Sequence, residues 1–241
     1  MTEKVRIAAV GDIHVREGDK GKWTDFFKKV SSEADLLLLC GDLTDTGHKS
    51  EADVLAKELK ACSIPVVAVL GNHDYEAGEH DLIKKTISSD KTTVLDGDSV
   101  IIGNIGIAGV KGFGGGFDTH MLPMWGEKMN KDFVQEAVNQ ALSLERALIR
   151  IDKENLKKIV ILHYSPIKET VIGEPEPIFP FMGSSRLAEP INRRDIDAVF
   201  HGHAHKGTIE GKTSKGIKVY NVSLPLLLHK GHEGGYFIIE V

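Results

Sequence analysis

Cysteine is scarce: only Cys40 and Cys62 occur in the 241 residues. Two thiols exclude a disulfide framework and suit a reducing compartment, and both are expected to be small buried hydrophobes. Long apolar runs are missing too. None approaches the roughly 20 residues that a membrane helix needs, so no membrane contact is expected. The start, Met1-Thr2-Glu3-Lys4, has no apolar leader stretch and no small-residue cleavage site, which makes the cytoplasm the expected location. Positive charge is in deficit, at a formal net charge of −5, so the chain lacks the footprint of unspecific nucleic-acid binding. There is no internal repeat, low-complexity segment or linker. With 41% hydrophobic and 27% charged residues, 1–241 is expected to form one domain with a large core.

What is present is a repeated grammar. Val5 to Val10 is an apolar strand ending in Gly11-Asp12-Ile13-His14, after which Trp23, Phe26, Phe27 and Val30 recur at helical spacing between Trp23 and Ser32. Leu36 to Cys40 is a second buried strand, ending in Gly41-Asp42. Ser50 to Ala61 carries Ala52, Leu55, Ala56 and Leu59 along one helical face, with Ser50 and Asp53 as a capping pair. Pro65 then opens Val66-Val67-Ala68-Val69-Leu70, a strand rich in β-branched residues that runs into Gly71-Asn72-His73-Asp74. Strand and helix in alternation, with short connections, predict a parallel sheet with right-handed crossovers.

Downstream the pattern changes. Thr92 to Leu95, Ser99 to Gly103 and Ile105 to Val110 read as short strands joined at Gly97-Asp98 and Gly103-Asn104, and hairpins are expected there. Phe133 to Ile151 has the widest apolar helix face. Ile159 to Leu162 is a buried strand ending in His163. A loop from Pro166 to Gly183 combines four prolines with Ile178, Phe179, Phe181 and Met182. So much apolar surface in a loop is expected either to wall the substrate pocket or to meet a second subunit of a homo-oligomer. A short helix is expected over Ser185 to Arg193. Ala198 to Phe200 then runs into His201-Gly202-His203-Ala204-His205, and Thr208 to Glu210, Lys218 to Val222 and Tyr236 to Val241 read as antiparallel strands.

Five of these strands end in groups able to bind metal: Asp12 and His14, Asp42, Asn72, His163, and His203 with His205. The carboxyl ends of strands can converge on one edge of a parallel or mixed sheet. Four imidazoles, two carboxylates and one amide oxygen, with no thiolate, suit first-row divalent ions (manganese, iron, zinc, nickel or cobalt) over calcium or a structural zinc. Seven protein groups exceed what one open catalytic ion takes. They suit two divalent ions sharing a carboxylate, which at about 3.5 to 4 Å apart is the arrangement used for in-line displacement at phosphorus.

Asp12-x-His14, Gly41-Asp42, Gly71-Asn72-His73-Asp74, His163 and Gly202-His203-Ala204-His205, in that order, make the chain resemble the calcineurin-like metallophosphoesterase superfamily over residues 12–205. The resemblance implies an α/β fold, a four-layer αββα sandwich of two mixed β-sheets flanked by helices. It implies that Asp12, His14, Asp42 and His205 hold one ion and that Asp42, Asn72, His163 and His203 hold the other. It further implies hydrolysis by in-line attack of a metal-bound hydroxide. His73 then protonates the leaving group, and Asp74 orients or charge-stabilises His73. The compact chain resembles the small prokaryotic phosphodiesterase branch, so a small phosphodiester is the expected substrate. A phosphomonoesterase is the alternative, and a non-enzymatic protein-interaction scaffold of the same fold comes third. Retention of all seven ligand types and His73 weighs against the scaffold, and the acidic balance weighs against a nuclease.

His201 is read as strand interior or as support for the ligands, and His48, His80, His120, His229 and His232 as solvated, with a substrate contact left open for His120. Gly112-Phe113-Gly114-Gly115-Gly116-Phe117 is no nucleotide-binding fingerprint, because no Gly-x-Gly-x-x-Gly turn opens a helix there and no Walker lysine follows. It reads either as a rim with Phe113 or Phe117 stacking on a substrate ring, or as a hairpin end that needs positive φ.

Overall fold

A computed structural model describes residues 4–153 and 155–241; Met1, Thr2 and Glu3, on which the leaderless start rests, lie outside the described residues. The first half alternates β1 (Arg6–Val10), α1 (Thr24–Glu33), β2 (Leu36–Cys40), α2 (Lys49–Glu58), β3 (Val66–Val69), α3 (His80–Ile87) and β4 (Thr92–Leu95). The second half contains β5 (Asp98–Ile102), β6 (Ile105–Gly109), α4 (Lys128–Arg150), β7 (Lys157–Ile161), α5 (Phe179–Met182) and α6 (Ala188–Asn192). It closes with β8 (Ala198–His201), β9 (Glu210–Lys212), β10 (Lys218–Asn221), α7 (Leu224–His229) and β11 (Phe237–Glu240).

The strands form two mixed sheets, ordered β11-β1-β2-β3-β4 and β5-β6-β7-β8-β10-β9. Every residue of β2, β3, β6 and β8 is buried, as expected of strands covered on both faces. Ile7, Ala9, Leu36, Leu38, Val67 and Val69 of the first sheet pack against Ile107, Ile159, Ile161 and Phe200 of the second. On its other face the first sheet presents Ala8, Val10, Leu37, Leu39 and Ala68 to Phe27, Val30, Leu55, Ile83 and Ile87 from α1, α2 and α3. The outer face of the second sheet, with Ala108, Val160, Val199 and Val219, is covered by Leu144, Ala147 and Leu148 of α4 and Ile191 of α6. Helix, sheet, sheet and helix therefore make four layers. Each fully buried Leu or Ile contributes about 1.5–3 kcal/mol to this sandwich. Among the described residues no helix is long and apolar enough to cross a membrane.

Several elements differ from expectation, among them α7, which the sequence reading does not predict, and β9, which lies two residues later than expected. β4 is not half of a hairpin: it pairs in parallel with β3, and the turn at Gly97 carries the chain across to the second sheet, where β5 and β6 form the true hairpin. α3 carries too weak a periodicity to be predicted, because only Ile83 and Ile87, one helical turn apart, are buried along its eight residues. α4 begins at Lys128 rather than Phe133, its first turn being exposed, Met129 included. β10 pairs in parallel with β8 and only its other edge, with β9, is antiparallel; alternation along a strand reports which faces are buried and says nothing of strand direction.

Candidate metal centre

The strand ends meet through a short relay of backbone bonds. The Asp12 amide donates to the Gly41 carbonyl (2.9 Å), the Gly11 amide to Val222 (2.8 Å) and the Gly202 amide to His163 (3.2 Å), so the tips of β1, β2, β7, β8 and β10 are stitched together across the two sheets. Five non-glycine residues among those described adopt positive φ, and four are candidate ligands: Asp12 (58°), His14 (43°), Asp42 (48°) and His203 (69°). Each such turn costs on the order of 1–3 kcal/mol and persists only where surrounding structure enforces it, as happens at functional sites. The turns redirect these side chains from the strand axis toward one another. Gly71 makes the approach between loops close enough, because a Cβ there would collide with the Asp42 carboxylate and amide.

Asp12, His14 and His205 bring their ligand atoms within 4.8 Å of one another. Asp12 is buried, its oxygens accept the His203 amide at 3.0 and 2.9 Å, and Oδ1 lies 2.9 Å from His205 Nε2. That contact with Asp12 raises the His205 pKa. Burial lowers that of His14. Both ring nitrogens of His14 are buried and lack a hydrogen-bond partner.

Asp42, His163 and His203 form a second such cluster, and His14, Asp42 and His73 a third, so Asp42 stands between them. Its Oδ2 lies 3.8 Å from His14 Nε2 and its Oδ1 lies 3.4 Å from His163 Nε2. Burial opposes ionisation of Asp42, but the His163 ring and the His73 amide hold its carboxyl well below the usual carboxylate range. His163 is wholly buried, and its Nδ1 must carry a proton because its partner at 3.0 Å is the Cys40 carbonyl. Nε2 then faces the Asn72 Oδ1 at 2.8 Å. A bare ring would set a lone pair against oxygen lone pairs at that point, so the site calls for a positive charge, either a proton or a metal ion. Burial pushes the His163 pKa down, yet the Asp42 charge outweighs it and holds the ring well above its usual value. His203 donates from Nε2 to the Phe181 carbonyl at 3.1 Å, which leaves Nδ1 as the nitrogen with a free lone pair. Burial and the nearby His163 bring its pKa down to about 4, so that lone pair is open at neutral pH. Orphaned nitrogens, two buried carboxylates and a spot that demands positive charge fit metal binding.

The calcineurin-like phosphoesterase family model matches residues 5–207 of this chain. The chain belongs to that family. Over 83 residues the chain is 39% identical to a probable cyclic nucleotide phosphodiesterase of Moraxella catarrhalis (strain BBH18), a match covering 31% of this chain and 30% of that protein. It therefore matches about a third of the length of that curated relative. Its fold is shared with the phosphopantetheinyl hydrolase of Mycobacterium tuberculosis at a TM-score of 0.68, with 12% identity over 97% of this chain and 95% of the other. The fold is shared as well with GAP50, the anchor in the inner membrane complex of Plasmodium, at 0.53, with 15% identity over 92% and 72%. The family is metal-dependent, and the clustered His and Asp side chains of this chain could hold metal.

His73 sits in a short helical turn, His73–Tyr75, and its Nδ1 donates to the Asp45 carbonyl at 2.7 Å. Asp74 does not orient it. Wholly buried, Asp74 accepts from the amides of Leu43 (3.2 Å), Thr44 (2.8 Å) and Gly71 (2.7 Å) and from the Thr44 hydroxyl (2.6 Å), pinning the loop after β2 to the loop after β3. Burial and the Asp42 charge push its carboxyl up to about 6. Asp45, which sequence reasoning passed over, is the residue that holds His73. Its position three residues after Asp42 was the only signal available.

His201 is buried, donating from Nδ1 to the Gly202 carbonyl and taking the Thr170 hydroxyl on Nε2, both at 2.8 Å. It anchors the proline-rich loop through Thr170. That loop and the glycine segment together wall a cavity of 250 Å³ lined by Phe117, His120, Lys168, Glu176 and Phe179. The glycine segment is no hairpin end: Gly116 bridges in parallel to Ser184. Phe117 is buried and unavailable for stacking, whereas Phe113 packs against Phe133 and Tyr164.

Proposed function

We propose that this phosphoesterase binds two divalent ions from the manganese, iron, zinc, nickel and cobalt group and hydrolyses a small phosphodiester in the cytoplasm. Asp12, His14, Asp42 and His205 would hold one ion, and Asp42, Asn72, His163 and His203 the other. When bound, such a pair lowers the pKa of water and draws charge from phosphoryl oxygens. The observation that carries the reading is the place of Asp42, whose two oxygens face two separate groups of histidines.

The rest of the work falls to the chain. Asp12 and Asp42 supply two buried negative charges that would otherwise repel a phosphoester, so neutralising them with cations is a condition for substrate entry. The Asp45 carbonyl fixes the His73 ring through Nδ1 and leaves Nε2 as the nitrogen able to pass a proton to the departing alkoxide. Asp74 keeps the two loops that carry Asp42 and Asn72 in register. The diester preference draws on the Moraxella relative's description, and the free, buried Cys40 and Cys62 fit a reducing cytoplasm.

Manganese-loaded protein should contain close to two ions per chain and turn over bis(p-nitrophenyl) phosphate faster than p-nitrophenyl phosphate. The opposite order makes it a phosphomonoesterase. Inactivity on both across several divalent metals makes it a scaffold.

A further inference from the structure

Lys111 lies just beyond β6, and its carbonyl accepts the amides of His163 and Tyr164 at 3.0 and 3.1 Å, which ties it to the strand end bearing a candidate ligand. Its side chain is buried. An ammonium has three N–H donors and a large hydration energy, so burial requires partners. Nζ makes one hydrogen bond, to the Gly112 carbonyl at 3.1 Å, and no carboxylate among the described residues comes within ion-pair distance of it. Instead it sits over three rings: Phe113 at 4.9 Å, Tyr75 at 5.1 Å and Tyr164 at 5.4 Å. Burial lowers its pKa, and Glu136, Asp96 and Asp42 offset this only from further away.

Those rings border the candidate centre. Tyr75 follows His73 by two residues, and the Tyr164 ring lies 5.4 Å from that of His163 and 4.5 Å from that of His203. The segment is also held from behind. The Gly112 amide donates to Gln140 Oε1 on α4 at 3.0 Å, and with φ at +78° Gly112 lets the chain pass Tyr164, whose Cβ is 3.2 Å from where a side chain would begin.

Aromatic faces stabilise a cation but fill none of its N–H donors. Among the described residues two of the Lys111 donors therefore find no partner, and Tyr164, whose ring Lys111 sits over, touches His163 and His203 in a chain whose family acts on anionic phosphoesters. Resting on the function proposed above, we infer that Lys111 is a specificity-determining residue that grips an anionic oxygen of the substrate's phosphoryl group, with Tyr75, Phe113 and Tyr164 walling that subsite.

Inorganic phosphate is the probe, added to manganese-loaded protein and followed by calorimetry. K111M should bind it about ten- to hundredfold more weakly than the parent, the span of one hydrogen bond to a charged group. K111R keeps the charge and donors but not the compact ammonium that the three rings enclose, so it should recover only part of the affinity. In turnover of bis(p-nitrophenyl) phosphate, K111M should raise KM by a similar factor with kcat much less affected, a split that mere loosening of the fold does not produce. In zinc-loaded parent protein labelled with ¹⁵N-lysine, zinc being diamagnetic, phosphate should shift the Lys111 Nζ resonance. Equal phosphate affinity in K111M and parent overturns the inference. So does an Nζ resonance indifferent to phosphate, a result that stands even if K111M fails to fold. Phosphate bound through Lys111 by a parent that cleaves neither ester overturns the proposed function and leaves the anion subsite in place.

Discussion

Asp74→Ala separates two roles for one carboxylate. Asp74 is wholly buried, and its removal strands the amides of Leu43, Thr44 and Gly71 and the Thr44 hydroxyl. A stranded buried donor costs about 1–3 kcal/mol, and water entering the vacated space recovers part of the sum, so the loss should be about 3–5 kcal/mol. Against a typical domain stability of about 5–15 kcal/mol this is a large share. Urea unfolding of metal-free protein reads it directly. Asp74→Asn keeps one acceptor oxygen but turns an NH2 donor toward the other pair of donors, so it should recover only part of the loss. Loosening the Asp42 and Asn72 loops should also weaken turnover on nitrophenyl and alkyl esters by the same factor. A loss confined to esters with poor leaving groups, with stability intact, would refute the staple and return Asp74 to service of His73.

His73→Ala should lose about 10²- to 10⁴-fold in rate on an alkyl ester, much less on a nitrophenyl ester that needs little protonation, and keep its metal by elemental analysis. Asp42→Asn should lower the occupancy of both ions together, since Asp42 faces both groups of histidines; loss of one ion alone would contradict a shared ligand. Glu58 is buried at the end of α2 and accepts from the Gly21 and Trp23 amides and the Thr24 hydroxyl at the start of α1. Burial alone would raise its pKa, but these donors hold it below the usual glutamate value. Its contribution is thus present above the unfolded-state pKa and lost as pH falls through the folded-state value. Glu58→Gln should cost about 1–2 kcal/mol in urea at pH 7, with the gap to the parent closing on acidification below about pH 4.

Local chemistry was legible wherever a function sits within a few residues. A buried apolar run followed by Gly-Asp or Gly-Asn-His-Asp shows a strand, its end and the groups placed there, since backbone preference and burial act over neighbours. The four layers and the meeting of Asp12, Asp42, Asn72, His163, His203 and His205 were readable because those motifs recur at strand ends in family order. Partners across loops were not. That β4 joins β3, that Asp74 serves Leu43 and Thr44 instead of His73, and that Asp45 holds His73 depend on which loops lie side by side. Lys111 was invisible for the same reason: in sequence it is one lysine after a strand. Only the folded chain brings Tyr75, Phe113 and Tyr164 around it, because contacts between segments far apart in sequence form only when the two sheets pack together.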